Sequence, residues 1–113
     1  SHSQGRRMEK TMTHKVDFDA IAWESPMPGV RHKVKVVGAK KLRLVEYSAE
    51  MEPHWCSVGH MGQILSGTFQ ITFDDGTEIF EAGDGVIIPD GEDHRHMAKA
   101  LTDTVQALFV EEA

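Results

Sequence analysis

The chain has 113 residues, with 40% hydrophobic side chains, 27% charged side chains and a formal net charge of -6. That is one domain's worth of core, since a chain of this size buries roughly 65% of the surface its unfolded form exposes. The charge excludes the basic face of a nucleic-acid-binding domain, no run approaches the ~20 apolar residues of a membrane span, and a single cysteine, Cys56, excludes a disulfide framework and fits a reducing cytoplasm.

Ser1 to Arg7 reads as an expression-tag remnant ahead of a native start at Met8, which leaves residues 8–113 as the single domain. The N-terminus lacks the apolar segment of a secretory signal, and Arg6, Arg7, Lys10 and Lys15 read as part of a solvated tail. Phe18, Ile21 and Ala22 have near-helical spacing within Val16 to Glu24, but Pro26, Pro28 and Gly29 break anything that begins there. A short arm or edge strand is expected instead. Val34 to Val37 and Leu42 to Tyr47 flank Gly38-Ala39-Lys40-Lys41 as a hairpin. Thr68 to Phe73 alternates, with Phe69, Ile71 and Phe73 on one face. Asp74-Asp75-Gly76 turns that strand into Thr77 to Phe80, because Asp-Gly supplies the positive φ of a tight hairpin. Ala82-Gly83-Asp84 leads into Val86-Ile87-Ile88, Pro89-Asp90-Gly91 closes that strand, and His94 to Ala98 and Val105 to Val110 complete the series. Eight or nine short strands without a helical crossover imply an all-β, antiparallel sandwich or barrel.

Two clusters hold four of the seven histidines. The first runs from Pro53-His54-Trp55-Cys56 to His60, followed by Gln63 to Gly67; the second runs from Gly83 through Pro89 and Gly91 to His94, with His96 beyond it. Residues i and i+2 of a strand share a face, so His54 with Cys56, and His94 with His96, can converge inside a barrel. Imidazole suits zinc, copper, iron and nickel, and thiolate favours the softer of these. His14 and His32 have no motif context.

These two segments resemble the paired motifs of the cupin superfamily. Gly83, Pro89, Gly91 and His94 keep every spacing of the second motif, with Ala98 in place of its later asparagine. In the first motif His54 and Gly67 match, Cys56 stands where a second histidine is usual, and His60 stands where a glutamate is usual. The resemblance implies an antiparallel jelly-roll barrel, a homodimer, and one divalent transition metal on His54, His60, His94 and Cys56. His96 lies about 6.6 Å beyond His94 by strand rise, which gives it a place lining the pocket rather than on the metal. Gln63 is a candidate partner for substrate or a metal-bound water. Neutral His60 removes the motif's one negative ligand charge and a Cys56 thiolate restores it. That exchange shifts the expected metal towards iron, nickel, zinc or copper and away from manganese.

Such a site leaves two or three coordination positions open for a small molecule. The expected function is a metal-dependent oxidoreductase, oxygenase-like, acting on a small organic substrate. A non-catalytic binding or sensor module and a metal-free carbohydrate isomerase are the alternatives, since fold alone does not choose among them.

Overall fold

The computed structural model describes residues 14–113. The expected tag remnant and the basic residues Arg6, Arg7 and Lys10 lie outside the described residues. Among the described residues a 3-10 turn at Phe18–Ala20 comes first, its N-cap Asp17 accepting from the Asp19 N–H. Nine strands follow: β1 (Glu24–Met27), β2 (Val30–Val37), β3 (Lys40–Ser48), β4 (His60–Ser66), β5 (Thr68–Phe73), β6 (Gly76–Glu81), β7 (Gly85–Ile88), β8 (His96–Ala100) and β9 (Thr104–Glu112).

The strands pair antiparallel in two sheets, one ordered β1-β2-β3-β9-β4-β7 and the other β6-β5-β8. The sheets form a jelly roll and do not close into one hydrogen-bonded barrel. Pro26 sits within β1, which is tolerated because β1 is an edge strand. The edge strand therefore starts where the expected arm ended, at Glu24. The β2–β3 hairpin is longer than the apolar runs suggested, pairing from Val30↔Tyr47 to Val37↔Lys40 around Gly38-Ala39, with Gly38 at φ 61°.

Alternation sets the core. Val105, Ala107 and Phe109 of β9, Val45 and Tyr47 of β3, Ile64 of β4, and Phe69 and Ile71 of β5 all point inward and are buried. Each large apolar side chain so buried contributes about 1.5–3 kcal/mol. The same phase carries charge inward: Arg43 precedes Val45 and Tyr47 by steps of two, and Glu111 follows Phe109 by two. On the outer face, Met61 pairs with both Val110 and Ile87, making an exposed apolar row across β9, β4 and β7. Among the described residues, no helix is long and apolar enough to cross a membrane.

Candidate metal centre and ligand cavity

The segment before β4 is fastened to the β7–β8 connection. Cys56 and His96 exchange two backbone hydrogen bonds, 2.8 Å from Cys56 N–H to His96 O and 2.9 Å from His96 N–H to Cys56 O. Gly91 N–H donates to Ser57 O at 3.0 Å, Gly59 N–H donates to Asp90 Oδ1 at 2.5 Å, and the Ser57 hydroxyl donates to Glu92. Gly91 caps a 3-10 turn at Glu92–His94 with φ 121° and ψ 162°, a region that glycine alone occupies readily. These ties bring the two histidine-bearing segments to one end of the sandwich.

A cavity of about 300 Å³ lies there, lined in part by His54, Cys56, His60 and His96. Phe109 stacks on His60 at 4.6 Å between ring centroids, and His96 meets His60 edge-on at 5.2 Å. The three rings share one tautomer. His54 Nδ1 lies 3.2 Å from Glu52 O, and His96 Nδ1 lies 3.1 Å from His94 O. A carbonyl oxygen only accepts, so both Nδ1 atoms carry the proton. His60 Nδ1 lies 2.6 Å from Glu111 Oε2 and donates to that carboxylate. Each ring is left with its Nε2 lone pair uncommitted, as in a metal-ligating histidine whose other nitrogen is fixed by an acceptor. His96 is 3% exposed, and its Nε2 is a buried polar atom with no hydrogen-bond partner. Burial lowers the His96 pKa and outweighs the hydrogen bond to the His94 carbonyl, which raises it. Its neutral, ligating form is thereby favoured.

As the side chains stand, no three His, Cys, Asp or Glu of the described residues are grouped closely enough to hold an ion. His54 is exposed on the rim, so it is the ring freest to turn inward.

The β3–β9 side of the cavity is charged. Glu111 is buried and meets Arg43 Nη1 at 3.4 Å and Lys41 Nζ at 3.7 Å. Arg43 Nε donates to His32 Nδ1 at 2.8 Å. Burial first, and Arg43 after it, hold the His32 pKa below its ordinary value. Burial also pushes the Tyr47 hydroxyl up to about 12, which keeps it protonated. Met27, Met51, Val58 and Ala98 supply apolar wall.

Against the expectations, His54, Cys56 and His60 line the cavity, but His94 does not. It is exposed in the 3-10 turn, and His96 takes the inward place. The i, i+2 rule did not apply to this pair because β8 begins only at His96. Gln63 is also outside the cavity, exposed and donating to Gly83 O at 2.9 Å. Arg43, Lys41, Glu111 and His32 were missed. The signal was present for Arg43 and Glu111, charged residues in phase with buried strand positions.

The cupin domain family matches residues 44–111. No curated protein sequence matches the chain. Similar solved structures include KdgF from Halomonas sp., at TM-score 0.69 and 18% identity, covering 83% of this chain and 89% of that one. A cupin-superfamily sugar phosphate isomerase from Silicibacter pomeroyi follows at TM-score 0.68 and 18% identity, covering 88% and 75%. The iron(II) form of HppE superposes at TM-score 0.69 and 12% identity, covering 85% and 58%. At these identities the structures speak to fold. Together with the family match over both histidine segments, they make the chain a member of the cupin superfamily.

Proposed function

We propose that the chain holds one divalent transition-metal ion in this cavity and acts, as an oxygenase-like oxidoreductase, on a small organic molecule. The observation that carries the reading is the common tautomer of His54, His60 and His96, with His96 Nε2 buried and unpartnered. These three rings would hold the metal after His54 turns inward, with Cys56, paired to His96 across the bridge, available as a fourth ligand. A bound ion would supply Lewis-acid and redox chemistry there. The chain's own residues do the rest: Glu111 fixes His60, the His94 carbonyl fixes His96, and the methionines keep one side of the cavity apolar. A thiolate among imidazoles favours iron, nickel, zinc or copper over manganese.

The test is metal analysis of protein purified without added metal or chelator. About one ion per chain is expected, lost when His54, His60 and His96 are all replaced by alanine and kept in His94→Ala. Retention in the triple variant would overturn the ligand set, and loss in His94→Ala would restore that residue to it. Dioxygen uptake by the iron-loaded protein across a panel of small acids tests turnover. Saturable binding without uptake would make the chain a binding module. The exposed row of Val110, Met61 and Ile87 supports a homodimer through the outer face of the larger sheet, which sedimentation at monomer mass would refute.

A further inference from the structure

The β2–β3 side of the cavity holds more positive charge than its own residues neutralise. Glu111 is the one carboxylate among the described lining residues, and its Oε2 is committed to His60 at 2.6 Å. Arg43 and Lys41 approach that carboxylate only at 3.4 and 3.7 Å. Charge-assisted N–H···O contacts run about 2.7–2.9 Å, so neither cation is fully paired. His32 adds no charge of its own, because its Nδ1 accepts from Arg43 Nε and is therefore unprotonated. Among the lining side chains one surplus positive charge thus remains, on side chains that are 14% (Arg43) and 30% (Lys41) exposed; the Glu24 carboxylate, opposite His32 on β1, also acts on this cluster but does not line the cavity. A guanidinium drawn as far out of water as that of Arg43 is costly unless something anionic meets it.

We infer that the cavity takes a small organic monoanion, a carboxylate on a short carbon skeleton, with the carboxylate against Arg43 and Lys41 and the skeleton along Met27, Met51 and Val58. The inference deepens the reading above and rests on this cavity being the ligand site. A volume of about 300 Å³ sits at the lower end of the ~300–1,000 Å³ of small-molecule sites, which excludes nucleotides and long acyl chains. The guanidinium fork matches the two oxygens of a carboxylate, and one surplus charge matches a monoanion better than a phosphate dianion. Placed so, the carboxylate shares Arg43 with Glu111, the residue that holds His60.

The experiment titrates the ¹⁵N-labelled, chelator-treated protein with lactate and pyruvate, with lactamide and pyruvamide as neutral isosteres, and with inorganic phosphate. The acids should shift the Arg43 Nε–H and β3 signals saturably, and the amides should not. Arg43→Gln should weaken acid binding by about tenfold or more, the worth of one charge-assisted hydrogen bond, and Arg43→Lys should recover part of it. Lys41→Gln, at a more exposed side chain, should weaken binding in the same direction and serves if Arg43→Gln does not fold. Amides binding as tightly as acids, phosphate binding more tightly than the acids, or indifference to both neutralising variants would each overturn the inference. Repeating the titration on zinc-loaded protein separates the two readings. Acid binding by protein that takes up no zinc on loading removes the metal reading and supports this one. Acid binding only in the presence of zinc, unchanged by Arg43→Gln, does the reverse.

Discussion

Replacing Glu111 by glutamine removes a buried charge while keeping shape and one acceptor oxygen. The carboxylate is 3% exposed and answers His60, Arg43 and Lys41 at once. A hydrogen bond to an ionised acceptor contributes about 1.5–3 kcal/mol, and removing one partner of a buried ion pair costs about 3–5 kcal/mol. Glutamine retains a weaker bond to His60, and solvent reaches Lys41, so the net loss should be about 2–4 kcal/mol of a total near 5–15 kcal/mol. The effect must also depend on pH. Burial alone would raise the Glu111 pKa, but the His60 hydrogen bond and the charges of His60, Arg43 and Lys41 outweigh burial and hold it below the ordinary 4.5. The unfolded chain therefore takes up the proton first as pH falls. The stabilisation from Glu111 is complete above 4.5 and is lost as pH drops through the depressed folded value. Urea unfolding of both proteins with chelator present, at pH 7 and at steps below 4.5, should show a gap that narrows on acidification. A gap under about 0.5 kcal/mol at pH 7, the scatter expected of an inconsequential surface change, or a gap that widens in acid, would refute the reasoning.

Gly91→Val should lower stability by about 1–3 kcal/mol in urea unfolding. A Cβ there meets nothing within 4 Å, so the loss comes from the φ of 121° alone, and an unchanged midpoint would refute it. If Cys56 ligates, its bond to zinc should be about 2.3 Å, and cobalt loading should give a sulfur charge-transfer band that Cys56→Ser abolishes. Metal should also slow alkylation of the thiol, because the coordinated electron pair is the nucleophile, and an alkylation rate indifferent to metal would refute ligation.

The strands were legible where one sheet face meets the core and the other meets water. Thr68–Phe73 is the clearest case, with Phe69 and Ile71 buried as its alternation requires. The turns at Gly38, Gly76 and Gly83 were legible because each needs a positive φ. The edge strand was misplaced because its pairing with β2 comes from tertiary context, through Glu24↔His32 and Met27↔Val30, around a proline that local rules read as a break. Spacing groups His54, Cys56 and His60, and all three line the cavity. His94 and His96 exchanged places because three residues of 3-10 turn shift the phase, and a motif spacing does not reveal where a strand begins. Glu111 and Arg43 were not legible by residue type, since charge on a strand is mostly solvated, although their phase with Phe109 and Val45 places them inward.

Strand β9 is the last of the nine along the chain, yet it lies between β3 and β4. During synthesis, β3 and β4 therefore emerge with facing edges that nothing covers, each a template for pairing with another chain. Their partner arrives only with Thr104–Glu112, across a separation that makes this closure a slow, non-local step. Glu111 travels on that strand, so the carboxylate that orients His60 is delivered at the moment the larger sheet is sealed. A nascent chain short of β9 exposes sticky edges and lacks the histidine's anchor together, which ties the ripening of the cavity to the completion of the fold.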